Sequence, residues 1–519
     1  MGVLGAIDSF FANVVPIGDI LWVFPQNFEW YANIPILGNL PFAIILLVGM
    51  GIFFTIRTGG VQFRYFSKGW QVLFRRQNVK TGVSPFASFM LSMGMRVGPG
   101  NIIGVTGAIS LGGPGALMWM WVSALFGMAS SFIEATLSQI FKERDGDEYV
   151  GGLPYYGQKL CGNKAFMGVM LTIFYIIFAM LSIPIQTFHV FTATGGAISA
   201  VTGVAAERTS TLYYFLAIVI IVGIAFAVFG GIRRVTRVTD KMVPVMAVIY
   251  IVIVLVLLLL NIGYFPQFLA DVFVGAFKPQ AMFGGAFGVA LSQGIKRGLL
   301  SNEAGQGTIT MSAAVSEQNH PCDQGFIQSI GVFVDTIVIC TISGFVVCAA
   351  HIWNNPAVDW ETVSTSKIDV FMGSLRELVP GQGLDSLVVL IVCLCYALFA
   401  FTSLLGLVSF ATVAGTRISK GNGFKNAIRT LGALIFVPFG TLCVLAGLEL
   451  DNIWYVSDLI NIALVFCNAP IILYGGKYVY AALKDYVDHN GRRFVASDIG
   501  LELDTDIWTE EARIEQEQE

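Results

Sequence analysis

The chain has 519 residues, 55% hydrophobic and only 12% charged, with a formal net charge of −4, whereas a soluble globular chain carries about 25% charged residues. That balance excludes a soluble globular domain and describes a polytopic protein of the lipid bilayer. There is no basic stripe interleaved with aromatic residues, so no nucleic-acid partner is expected. The eight cysteines lie mostly in apolar runs, where they act as small hydrophobes rather than as a disulfide or metal framework.

The first twenty residues lack the basic segment and small-residue cleavage site of a signal peptide, so they are expected to stay in the mature chain. A membrane span needs about 20 apolar residues. Windows of that size predict eleven spans, near 37–57, 83–110, 114–140, 165–190, 211–231, 242–262, 280–313, 325–350, 385–413, 428–447 and 453–475. Loops at 57–80, 142–164, 233–241 and 417–429, together with the stretch after the last span, hold 23 of the 30 Lys and Arg. The positive-inside rule then puts the N-terminus outside and the acidic tail in the cytoplasm, as expected for a multi-pass protein of the plasma (inner) membrane. The tail, 484–519, is expected to be a solvated acidic end.

Two spans are heavily interrupted. "GMRVGPGNIIGV" (94–105) breaks the second and "GIKRGLLSNEAGQGT" (294–308) the seventh. Proline inside a helix costs ~3 kcal/mol and each glycine ~1 kcal/mol relative to alanine, so neither stretch is an ordinary helix. Gly94, Arg96 and Gly98 are echoed by Gly294, Lys296 and Gly298, and Asn101 by Ser301 and Asn302. Because five spans separate the two starts, the units enter the membrane from opposite sides. The expected organisation is an N-terminal segment with one span and a basic loop (1–82), a first repeat (83–262), an inverted second repeat (279–483) and the tail. Non-helical backbone at membrane depth is tolerated only where it is buried in protein or lines a hydrated cavity. Paired broken helices are the binding-site arrangement of secondary transporters such as the leucine transporter.

Five blocks carry a family resemblance: "RVGPGNIIGVTGAISLGGPGALMWMWVSALFGMASSFIEA" (96–135), "VPVMAVIY" (243–250), "KRGLLSNEAGQGT" (296–308), "QGFIQSIGVFVDT" (324–336) and "FAFTS" (399–403). With them the chain resembles the alanine/glycine:cation symporters, the amino acid carrier family. The resemblance implies an all-α leucine-transporter-like fold of about 11 transmembrane helices with a 5+5 inverted repeat. It also implies symport of sodium with a small neutral amino acid, alanine or glycine foremost. Glutamine, or coupling to protons, is the alternative for the same fold; a channel or an intramembrane enzyme is disfavoured because no nucleophile, metal-ligand or phosphate-cradling motif is present.

By that resemblance sodium would meet the carbonyls of Gly94, Val97 and Phe399 and the side chains of Thr402 and Ser403. The substrate carboxylate would face the start of the half-helix after the first break, at Gly100 and Asn101, with Gly98 leaving room beside the backbone. Pro99 stands where the family usually has threonine and removes one donor. Ser301, Asn302, Ala304 and Gly305 would take the ammonium through carbonyls and amide oxygen, and Gln186 lies on a flanking span. Charges inside spans are functional candidates by default, and Arg96, Glu134, Lys296, Arg297, Glu303 and Asp335 qualify. Arg96 and Lys296 are expected to pair with acids as gates. Asp335 and Glu303 are expected to support the breaks by hydrogen bonds to freed backbone groups.

Overall fold

The computed structural model describes residues 9–517 except 15, 17–19, 21–22, 35–36, 76–78, 205–210, 278–285, 351–366, 382, 447–450 and 503–506. The expected start of the second repeat at 279 therefore lies outside the described residues. The described chain is helical almost throughout. α1 (Phe42–Arg57) and the short amphipathic α2 (Phe66–Leu73) lead to the first broken helix, made of α3 (Pro85–Arg96) and α4 (Gly100–Gly112). α5 (Gly115–Ile140) is followed by the two-stranded hairpin β1 (Glu143–Asp145) and β2 (Glu148–Val150), the short α6 (Leu153–Leu160), and the long α7 (Ala165–Thr202), α8 (Thr211–Val228) and α9 (Ile232–Leu260). After α10 (Phe265–Phe277) comes the second broken helix, α11 (Ala286–Asn302) and α12 (Thr310–Ala314). α13 (Pro321–Ala349), α14 (Lys367–Leu378), α15 (Leu384–Gly415), α16 (Asn422–Leu445), α17 (Asp451–Asp488) and α18 (Glu510–Glu517) complete the order.

Eight of these helices are long and apolar enough to cross a bilayer. The remaining three predicted windows are the 16-residue α1 and the two broken pairs, so each of the eleven is helical in its described part. Helices α2, α6, α10 and α14 and the hairpin are additions that no 20-residue window could show. α5 lies at the centre against α11 and α13, and α7 runs along α15. α8 and α9 present Phe215, Ile218, Phe226, Val245 and Val248 outward, the apolar face expected toward lipid.

Local chemistry explains both breaks. Ser84 caps α3 by accepting from the Ala87 N–H at 3.1 Å, with Pro85 in the first turn where its missing donor costs nothing. α3 stops where Val97 leaves the helical region (φ −77°, ψ 87°), and Pro99 restarts the chain into a wide π-turn over Gly100–Gly104. In the second break Glu303, Gly305 and Gly307 all have left-handed φ, at 54°, 78° and 82°, which unwinds the segment between α11 and α12.

The broken helices lie antiparallel. At one end Val83 donates to the Val315 carbonyl at 3.1 Å, Glu317 donates to the Val83 carbonyl at 2.9 Å, and the Glu317 carboxylate accepts from the backbone of Lys80 and Thr81. At the other end a Cβ on Gly112 would press on the Ala290 backbone.

The tail departs from expectation. Phe494, Ile507 and Trp508 are buried, and the Trp508 indole donates to the Gln139 carbonyl at 2.8 Å. The acids between and beyond these residues suggested a solvated end, but the three spaced apolar anchors dominate. Trp508 packs edge-on against Phe494, and its ring lies 4.9 Å from the Lys142 amine nitrogen. Lys142 in turn donates to Gln139 and to the Ser316 carbonyl beyond α12, which fastens the tail to the closed end.

Candidate functional site

Between the two breaks lies a cavity of about 350 Å³. It extends from Gly98, Pro99, Ser301 and Glu303 toward Gly107, Leu111 and Lys367, the end opposite the Val83–Val315 closure. Gly98, Gly100, Gln186, Lys296 and Ser301 from the sequence reading line it.

Asn101 does not point into it. Its Oδ1 accepts from the Gly98 N–H at 2.9 Å, and its Nδ2 donates to Asp335 at 2.6 Å and to the Ser301 hydroxyl at 3.1 Å. The Asn101 N–H is also occupied, by the Gly98 carbonyl at 3.1 Å. Ser301 and Thr336 donate to the second Asp335 oxygen, each at 2.8 Å. Asp335 is thus held by side-chain donors from α4, α11 and α13, not by freed backbone groups. The backbone role expected of it falls to Glu134, whose two oxygens accept from Gly305 and Gly307, both at 3.1 Å, with Asn468 donating at 3.3 Å.

The ammonium contacts expected at the second break are likewise engaged elsewhere. The Asn302 amide oxygen accepts from the Ala304 N–H at 3.0 Å and the Gly305 carbonyl from Asn468 at 2.8 Å. Asn302, Ala304 and Gly305 therefore build the break without lining the cavity. Arg96 forms no ion pair with an acid among the described residues. Only 2% exposed, it donates to the Asn302 carbonyl (2.9 Å), the Gln328 side chain (2.8 Å) and carbonyl (3.2 Å), and Ser131 (3.0 Å). A guanidinium carries five donors in a fixed fork, so neutral carbonyls and hydroxyls alone can satisfy it. Lys296 borders the cavity within electrostatic reach of Asp458.

The sodium candidates gather on the far side of the first break. Ser403 donates to the carbonyls of Gly94 and Phe399, both at 3.1 Å, and Thr402 donates to the Phe399 carbonyl at 3.0 Å. A Cβ at Gly94 would come within 3.2 Å of Thr402 and 3.3 Å of Val243, a tight fit that would press on both side chains. Val97 lies a turn further on, fully buried where α3 unwinds. These are oxygens of the hard, neutral type that suits an alkali cation.

Sequence reasoning missed how Glu134 and Arg297 are used. Glu134 was visible only as an intramembrane charge. Its signal was indirect: a stretch such as Asn302–Gly307, with three left-handed positions, must leave amides that need an acceptor. Arg297 lines the cavity, and its guanidinium lies over Gly100 and Gly104, where a Cβ at either position would collide with it.

Comparison with known proteins follows the same lines. The profile of the sodium:alanine symporter family matches residues 27–496. The chain is 33% identical to the amino-acid carrier protein AlsT of Bacillus subtilis, over 92% of this chain and 93% of that one. It is 35% identical to the probable sodium/glutamine symporter GlnT of the same organism, over 85% and 87%. Among solved structures, MhsT in complex with L-phenylalanine superposes with a TM-score of 0.55 at 15% identity, covering 81% of this chain and 92% of that one. That likeness shows the fold, which is leucine-transporter-like.

Proposed function

The chain belongs to the sodium:alanine symporter family, and we propose that it couples inward sodium movement to uptake of a small neutral amino acid, alanine or glycine first, by alternating access. The family is one of transporters, not enzymes. The observation that supports the substrate reading is the cavity of about 350 Å³ between the two breaks, within the range of small-ligand sites, roughly 300–1,000 Å³. Its glycines at 98, 100, 104 and 107 keep the wall close to backbone.

Sodium is assigned to Gly94, Val97, Phe399, Thr402 and Ser403. There Ser403 would exchange its bond to the Gly94 carbonyl for a lone pair directed at the ion. The amino acid occupies the cavity across the first break, so both cargoes touch the Gly94–Gly104 segment, and each one orders backbone that the other needs. By the charge rule the cavity opens outward, and the Val83–Val315 contact is the inner closure. One charge crossing ~100 mV supplies ~2.3 kcal/mol, and a tenfold sodium gradient adds about 1.4 kcal/mol. Together they sustain an accumulation of roughly several hundredfold.

Uptake of labelled alanine into proteoliposomes tests this. Accumulation is expected with an inward sodium gradient and lost when the gradient is collapsed. Accumulation driven by a proton gradient without sodium would refute the coupling. Glutamine outcompeting alanine and glycine would move the substrate to that named for GlnT.

A further inference from the structure

We infer that Arg297 and Glu303 are the two charged poles of the substrate site, Arg297 receiving the amino acid's carboxylate and Glu303 its ammonium. This rests on the symport reading and names the residues that recognise the zwitterion.

Both side chains line the same cavity. Arg297 Nε and Glu303 Oε2 are buried without a hydrogen-bond partner, and no ion pair closes on either side chain among the described residues. The Thr308 hydroxyl is close enough to approach the Glu303 carboxylate, but it brings no charge to balance it. Asp458 is within electrostatic reach of Arg297 but forms no ion pair with it. The contrast with Arg96, Glu134 and Asp335 is sharp, since each of those has three or more bonds. A charge inside a span costs ~2.5–3.5 kcal/mol even on a lenient scale, so two left unpaired in one cavity call for a ligand.

Their positions are also electrostatically inverted. Arg297 lies over the Gly100–Gly104 turn that begins α4, where the helix dipole already places about half a positive charge. Glu303 directly follows α11, at a helix end carrying about half a negative charge. A cation on a positive end and an acid on a negative end oppose folding unless something of opposite sign lies against each. A zwitterion supplies both. Two further acceptors, Gln186 Oε1 and Asn461 Oδ1, line the cavity with no partner and suit the remaining ammonium protons.

Ligand-induced thermal shifts of the purified full-length protein in sodium test this with two probe sets: alanine with alaninamide and propionate, and glutamine with its α-amide and its deaminated acid. In the wild type each analogue, lacking one charge, is expected to bind at least ~100-fold more weakly than its parent, the size of a lost charge-assisted contact. Arg297→Gln should weaken the parent amino acid ~100-fold while leaving the amide unchanged. Glu303→Gln should weaken the parent while leaving the deaminated acid unchanged. Arg297→Lys, the gentler change, should keep the preference for the parent over the amide. The shift given by sodium alone reports that each variant is folded. Equal loss of parent and analogue in Arg297→Gln and no preference in Arg297→Lys would overturn the carboxylate assignment. A Glu303→Gln protein altered only in sodium affinity would overturn the ammonium assignment. A wild type blind to both alanine and glutamine would defeat the symport reading itself, and this proposal with it.

Discussion

Glu134→Gln isolates the contact that holds the second break open. The wild-type carboxylate, 2% exposed, accepts from the N–H groups of Gly305 and Gly307 at 3.1 Å and from Asn468 at 3.3 Å. Glutamine keeps one acceptor oxygen and turns two donors toward the other N–H, so one buried amide loses its partner. That loss costs about 1–3 kcal/mol, and removing the charge weakens the surviving bond by about 1 kcal/mol more. At 1.4 kcal/mol per factor of ten, a total of about 2–4 kcal/mol makes local opening of residues 303–309 roughly 30- to 1,000-fold more frequent. Hydrogen exchange on peptides covering that stretch reads this directly, and Glu134→Ala should exceed it by leaving both amides orphaned. Exchange in Glu134→Gln equal to wild type would refute the reasoning, because it would show that these amides do not depend on a carboxylate.

Ser403→Ala should raise the sodium concentration for half-maximal uptake about tenfold, the equivalent of 1.4 kcal/mol, without changing alanine affinity in saturating sodium. Gly104→Ala puts a Cβ into the Arg297 guanidinium, so alanine binding should weaken at least ~10-fold while sodium-induced stabilisation stays as in the wild type. Trp508→Ala should release the tail to limited proteolysis. Burial, against the attraction of Glu317, holds the Lys142 amine well below the usual lysine range. The undocked state then binds more protons than the docked one, so tail protection should rise as pH rises toward about 10, the ordinary lysine value. Protection that falls with pH over that interval would sink the argument.

Composition and two disrupted repeats made the architecture legible, because apolar length and helix-breaking residues act locally. Gly94, Thr402 and Ser403 were reachable through motif resemblance, and they meet across 309 residues of chain. The occupancy of polar groups was not legible. Asn101 looks like a ligand in sequence, but whether its amide faces a substrate or Asp335 depends on a helix more than 230 positions later. Glu134 and Gly305 are separated by 171 residues, so neither one announces the other. The tail shows the same limit at its simplest. Its acidity is a property of composition, while its docking depends on where Trp508 finds Lys142 and Gln139.

The partners of the buried charges also bound how the molecule moves. Arg96, at the end of α3, is bonded to Asn302, at the end of α11, and to Gln328 in α13. Asn101 at the start of α4 and Ser301 of α11 share Asp335 of α13. Sliding any one of these elements alone would strand a buried charge, at a cost of several kcal/mol, so the two breaks and α13 move as a unit near the membrane centre. The closed end is held by the backbone pairing of Val83 with Val315 and Glu317, by the Ser88 hydroxyl on the Ser312 carbonyl and by the tail resting on Lys142. Opening that end while the centre holds places the bend within α3, on the closed-end side of its Arg96 anchor.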